Sequence, residues 1–230
     1  MAIFVLVHGG WGGGWEWTPV SRLLRNRGHD VFTPTLTGLG ERAHLGSEIG
    51  LADHIQDVLA VFTFEELRDV VLCGHSAGGM VVTGVADRLP EQIRLLVYLD
   101  AFVPRDGQAL QDFVPKEFGE SLLRSAEERG DGKIPMPAEL LPPEGVIPEE
   151  VRASYIRRTR PHPAATQTEP IRLSGAVEGL RRAFVRCTGD LYPENDLLGP
   201  FAARARTVLP ERCKSLPSTS RYKNSSALKA

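Results

Sequence analysis

The sequence predicts a doubly wound α/β fold on a mostly parallel sheet, and three observations point to it. Three unbroken apolar runs, AIFVLV at 2–7, VVLC at 70–73 and LLVYL at 95–99, lack the alternation of half-exposed strands and match strands covered on both faces. Segments of helical period at 19–27, 51–66 and 78–89 separate and follow them, which is the strand–helix order of a wound sheet. The chain's 230 residues, 42% apolar and 24% charged, suffice for one domain with a single large core.

In chain order, the first strand at 2–7 runs into the glycine-rich stretch GGWGGGW, and a helix at 19–27 leads to a weaker strand at 30–36. Next come the helix at 51–66, the strand ending at Cys73, the helix from Gly78 and the strand at 95–99. Between 104 and 170 the texture changes to ten prolines, short amphipathic pieces at 110–118 and 121–129, and no long apolar run. An insertion placed after a core strand suits a cap over the carboxyl ends of the strands. RAFVRCT at 182–188 reads as a further strand, followed by a helix at 197–206. The domain reading is therefore a core of 1–103 and 171–210, a cap of 104–170 and an atypical tail of 211–230. From 214 onward the tail carries three lysines and five serines, against two lysines in all the preceding residues, and such a composition does not pack as a core element.

A net charge of -2 without a block of like charge argues against nucleic acid or a membrane surface as partner and favours a small uncharged one. The apolar opening lacks the basic flank and length of a secretory signal, and no run approaches a membrane span, so a cytoplasmic protein is expected. Cys73, Cys187 and Cys213 form no CxxC pair or Cys/His cluster, which indicates neither a disulfide framework nor a metal site; Cys73 and Cys187 read as small buried hydrophobes.

The strongest chemical signal is Gly74-His75-Ser76-Ala77-Gly78, directly after the strand DVVLC and directly before the helix GMVVTGVADRL. A turn this tight needs small residues on both sides of the serine and holds its hydroxyl above the sheet at a helix N-terminus, where the dipole favours a developing anion. Ser76 is the expected nucleophile. Ester hydrolysis passes through a tetrahedral oxyanion that needs two N–H donors aimed at one point. The residue after the nucleophile, Ala77, supplies one, and Gly10 in His8-Gly9-Gly10-Trp11 is the natural second. GGWGGGW contains no GxxxxGK[ST] and is not followed by a ribose-binding acid, so nucleotide binding is not expected.

The segments VLVHGGWGGGWEW, TLTGLGERAHL, GHSAGGMVVTGVADRLPE and LVYLDAFVPRDGQ resemble the branch of α/β-hydrolases containing plant methylesterases, hydroxynitrile lyases and bacterial esterases, including pyrethroid-hydrolysing ones, over about 1–210. The resemblance implies no metal, no cofactor, and a triad in the order serine, acid, histidine. It matches Gly10 and Ala77 to the oxyanion donors, Phe102 to the substrate pocket and Asp190 to the acid, in preference to Asp196 and Asp100. It also implies a histidine loop near the C-terminus, and here the sequence departs: after His162, in RPHPAAT of the cap, no histidine follows. The last strand and its helix are accordingly expected to be missing or altered and activity to be impaired. From the cap, His162 is in a position to face the site and bind substrate, but it is not expected to replace the missing base, which a serine hydrolase needs fixed by a carboxylate. Trp11, Trp15 and Trp17 at the mouth, with Phe113, Phe118, Met136 and Tyr155 in the cap, suggest an ester with apolar groups. The competing readings are a non-catalytic small-ligand receptor, which the missing histidine favours, and a hydroxynitrile lyase. Lyases of the branch carry threonine where this chain has Gly9 and a lysine that has no counterpart here.

Overall fold

The computed structural model describes residues 1–46, 48–142 and 144–186. Its centre is a five-stranded, wholly parallel sheet of β1 (Ile3–Val7), β2 (Asp30–Phe32), β3 (Val70–Ser76), β4 (Ile93–Ala101) and a last strand, Arg182–Val185, which lies beside β4. The spatial order runs β2, β1, β3, β4, then the last strand. Helices α1 (Thr18–Arg25), α2 (Leu51–Phe64) and α3 (Gly78–Arg88) are the crossovers. Val5, Val7, Val70, Leu72 and Leu96 meet α2 and α3 on one face, and Leu6, Val31 and Cys73 meet Trp17 on the other. Side chains of successive strand residues thus enter cores on both sides, which is why these runs are apolar without alternation.

Two polar ties hold α3, one to the sheet and one to the segment at 174–177. The buried Tyr98 hydroxyl donates to Thr83 Oγ1 at 2.8 Å while Thr83 donates to Gly79 O at 2.7 Å, and burial pushes the Tyr98 phenol up to about 12. At the far end of α3, Asp87 accepts the N–H groups of Ser174, Gly175 and Val177 at 2.5, 3.1 and 3.1 Å. Its carboxyl lies below the usual range: desolvation, the largest single influence, raises it, and these bonds together outweigh that.

The segment after β4 holds a turn at Leu110–Phe113, α4 (Lys116–Arg129), β5 (Lys133–Ile134), α5 (Glu149–Arg158), β6 (His162–Pro163) and α6 (Ala165–Thr168), before the last strand, now β7. The two amphipathic pieces read from sequence are this turn and one continuous helix, because Pro115, not a break near 120, stands at the boundary. β5 and β6 pair antiparallel as a small ribbon. Among the described residues no helix is long and apolar enough to cross a membrane.

Candidate active site

Ser76 ends β3 in the left-handed region, at φ 50°, and Ala77 returns to φ -57° before α3 begins at Gly78. A non-glycine residue there carries roughly 1–3 kcal/mol of strain, which the surrounding packing must hold in place. That packing is tight. The ladder with β4 shifts register between His75 and Ser76, and the Phe102 N–H donates to Ser76 O at 3.2 Å. A Cβ on Gly74 would come within 2.7 Å of Gly78 O, one on Gly78 within 2.6 Å of His8 O, and one on Gly79 would overlap Phe102 O. Only glycine lets strand, helix and neighbouring loops approach this closely.

The loop leaving β1 crosses directly over this turn: a Cβ on Gly9 would lie 3.1 Å from Ser76 Cβ and 3.2 Å from His75 Nδ1. His8 anchors the loop from below. Its Nε2 accepts the Leu36 N–H at 3.1 Å, so Nδ1 carries the proton and donates to Gly9 O at 2.8 Å. Complete burial pushes His8 down to about 4, and the ring is neutral at ordinary pH. The facing stretch 35–42 is held in turn by Asp57, which accepts from Thr37 N and Oγ1 at 2.6 and 2.8 Å and from Arg42 at 3.0 Å. Gly10 follows Gly9 with a Cβ position 3.8 Å from His162 Nδ1.

Trp11, at φ 61°, is gripped by the ribbon. Its N–H faces His162 Nδ1 at 3.4 Å, its carbonyl accepts the Arg160 N–H at 2.9 Å, and its indole N–H donates to Ile134 O at 3.0 Å. The ring packs against the buried cluster of Leu122, Ala126 and Ile134. Phe102 is buried and stacks on Phe113 with centroids 5.8 Å apart.

The expected placement of Trp15 and Trp17 at the mouth needs correction. Trp17 is a core residue under the opposite face of the sheet, edge-on to His75, and Trp15 meets Tyr155 and the Arg158 guanidinium, 3.9 Å above its ring. Both stand in a 3-10 turn at Gly14–Trp17, where three residues per turn send positions 15 and 17 in different directions. His162 has both ring nitrogens engaged: it is 3% exposed, Nε2–H donates to Thr166 Oγ1 at 2.7 Å, and Nδ1 faces Trp11. Burial, with His54 and His8 nearby, holds its pKa well below the histidine range. These three histidines and Thr166 surround a cavity of about 10 Å³ that reaches Gly9 and Ala77, room for about one water. Cys73 is buried and pushed up to about 12, an inert thiol. Asp100, the residue before the end of β4, stands at φ 45°; burial lowers the His75 pKa, and the Asp100 charge raises it by less. Asp190, Asp196 and Cys187 lie outside the described residues.

Glu16 was not singled out by its sequence. Its carboxyl fills the space a Gly12 side chain would need, and burial raises it to about 7 against the opposing pull of Arg158 and a bond from the Gly9 backbone. A lone acid between two tryptophans in a glycine-rich loop was the available signal. Among the described residues no group of three or more His, Cys, Asp or Glu is placed to hold a metal ion.

A parallel sheet of this order, with a serine at a left-handed strand-to-helix turn under a glycine loop, fits the family whose model matches residues 4–220, described as the alpha/beta hydrolase family; the chain belongs to it. Family and relatives together class it as a carboxylic ester hydrolase. A carbendazim hydrolyzing esterase of Nocardioides sp. (strain SG-4G) is 44% identical over 200 residues, 82% of this chain and 81% of that one. Methylesterase 1 of Arabidopsis thaliana is 33% identical over 126 residues, 54% of this chain and about half, 48%, of its own length. Among solved structures, an extracellular alpha/beta-hydrolase from a Paenibacillus species, described as sharing structural and functional homology with tobacco salicylic acid binding protein 2, matches with a TM-score of 0.80 at 26% identity over 89% of this chain and 86% of that one.

Proposed function

We propose that the protein is a serine esterase that cleaves a carboxylic ester carrying apolar groups through an acyl-enzyme on Ser76. The observation that carries this reading is the left-handed Ser76 at the N-terminus of α3, directly beneath the Gly9–Gly10 loop. In this reading Ser76 Oγ bonds to the ester carbonyl carbon and the carbonyl oxygen becomes an anion held by the Gly10 and Ala77 N–H groups. The C–O bond to the alcohol then breaks, and the alcohol leaves with the proton Ser76 gives up. Water adds to the acyl-serine and releases the acid. Residues 104–170 serve as the cap, with Phe102 and the Trp11 ring as apolar wall and Asp190 as the acid of the triad.

The base is the weak point of this chemistry. His8 and His162 each use both ring nitrogens, and the sequence has no histidine after 162. A serine without a positioned base reacts slowly, retaining what the oxyanion donors and binding contribute. This favours acylation with slow turnover, and it keeps a second reading in view, a small-ligand receptor on the same fold. An activated aryl ester separates them. A burst of alcohol that Ser76→Ala abolishes, together with loss of organophosphate labelling, is the expected result. Tight ligand binding without a burst, or labelling of the alanine variant at an unchanged rate, overturns the esterase reading.

A further inference from the structure

Trp11 holds a backbone conformation that a bulky side chain rarely adopts, and each of its polar groups is bonded to one structure, the β5–β6 ribbon and the residues beside it. The N–H is held by His162, the carbonyl by Arg160 and the indole by Ile134. Trp11 directly follows Gly10, so the peptide that His162 touches fixes the direction of the residue proposed to donate to the oxyanion. Resting on the esterase reading above, we infer that His162 is a positioning residue: through Nδ1 it holds the Gly10–Trp11 peptide so that the Gly10 N–H aims at the oxyanion formed on Ser76.

The hydrogen bonds fit one role for each ring atom. Thr166 Oγ1 donates to Pro163 O at 2.7 Å, so it can only accept from His162, and Nε2 carries the proton. Nδ1 is then a lone-pair acceptor aimed at the Trp11 N–H. Thr166 thus selects the tautomer and His162 transmits the choice to the loop. Burial keeps the ring neutral, as an acceptor must be. The Gly10 Cβ position, 3.8 Å from the same Nδ1, leaves the ring as the wall against which the loop rests.

The test uses the full chain and two ligands of one shape, an aryl trifluoromethyl ketone and the corresponding alcohol. The ketone carbonyl carbon accepts Ser76 Oγ, the serine proton goes to solvent, and the hemiketal oxygen becomes the anion in the hole. The alcohol binds without a bond and makes no anion. His162→Phe keeps a ring and removes the acceptor. It should weaken the ketone by about 100-fold, the value of one oxyanion donor, and leave the alcohol's affinity unchanged. His162→Asn, whose Oδ1 can replace Nδ1, should recover the ketone to within about tenfold of the parent. Thr166→Val leaves the histidine in place, frees its tautomer and should shift ketone affinity in the same direction by less. Equal weakening of both ligands in these variants means a purely structural role and overturns the inference. A parent that prefers the ketone no more than its Ser76→Ala variant does overturns the reading of Ser76 itself, and the inference with it.

Discussion

Acidification removes a definable share of this protein's stability through His8. The ring is fully buried, bonded at both nitrogens and pushed from the ordinary 6.5 down to about 4. Above about pH 7.5 it is neutral folded or unfolded and contributes no pH dependence. As pH falls from there toward 4, the unfolded chain takes up a proton that the folded one refuses, and stability declines. A drop of about two and a half units, at about 1.4 kcal/mol each, makes the loss about 3 kcal/mol. His54 and His162, both lowered first by burial, add losses of the same sign. His8→Gln isolates the one contribution, because Oε1 can accept the Leu36 N–H and does not ionise. Urea unfolding of parent and variant at about pH 7.5 and about pH 4 should show the parent losing about 3 kcal/mol more than the variant across that interval. Parallel losses would refute the argument and mean that the folded protein accommodates a charged His8.

Other perturbations test the packing and the site. Gly79→Ala, whose Cβ would overlap Phe102 O, should cost about 3 kcal/mol or more in chemical denaturation. Gly28→Ala, at φ 78° with nothing within 4 Å, should cost only about 1 kcal/mol. Asp87→Ala leaves the N–H groups of Ser174, Gly175 and Val177 without their carboxylate and should lower stability by about 3 kcal/mol near neutral pH. Because the Asp87 carboxyl is depressed, that gap should narrow as pH falls through its folded value. Asp190→Asn should change ester turnover less than about threefold, since a triad acid acts by orienting a histidine; a loss on the order of a thousandfold would show that a base is present after all.

The strand-to-helix turn was legible because everything that makes it is local. GHSAGG carries its own glycines, and the runs at 2–7, 70–73 and 95–99 fall inside Ile3–Val7, Val70–Ser76 and Ile93–Ala101 or differ from them by a residue. The second strand is shorter than the run at 30–36. Only Asp30–Phe32 pairs, and beyond it Thr35 turns its hydroxyl to the Gly14 N–H at 2.8 Å and Leu36 gives its own to His8. Strands of two residues, such as Lys133–Ile134 and His162–Pro163, have no periodicity to read. The surroundings of His162 depend on Trp11 and His54, partners more than a hundred residues away in sequence, and a window along the chain does not see them. The positive φ of Trp11 is hidden for the same reason, because the residue type argues against it.

The sheet order sets a schedule for synthesis. β4 lies between β3, made just before it, and β7, which begins only at Arg182. While the ribosome adds the roughly 80 residues in between, about 4–16 seconds at about 5–20 residues per second, the outer edge of β4 has no native neighbour. That edge belongs to the apolar strand IRLLVYLDA, whose free N–H and C=O groups are a template for any other strand nearby. Nascent chains crowded on one message are therefore open to pairing with each other over this interval. Slower initiation or a lower growth temperature should raise the soluble yield, whereas changes confined to the exposed face of α1 should not.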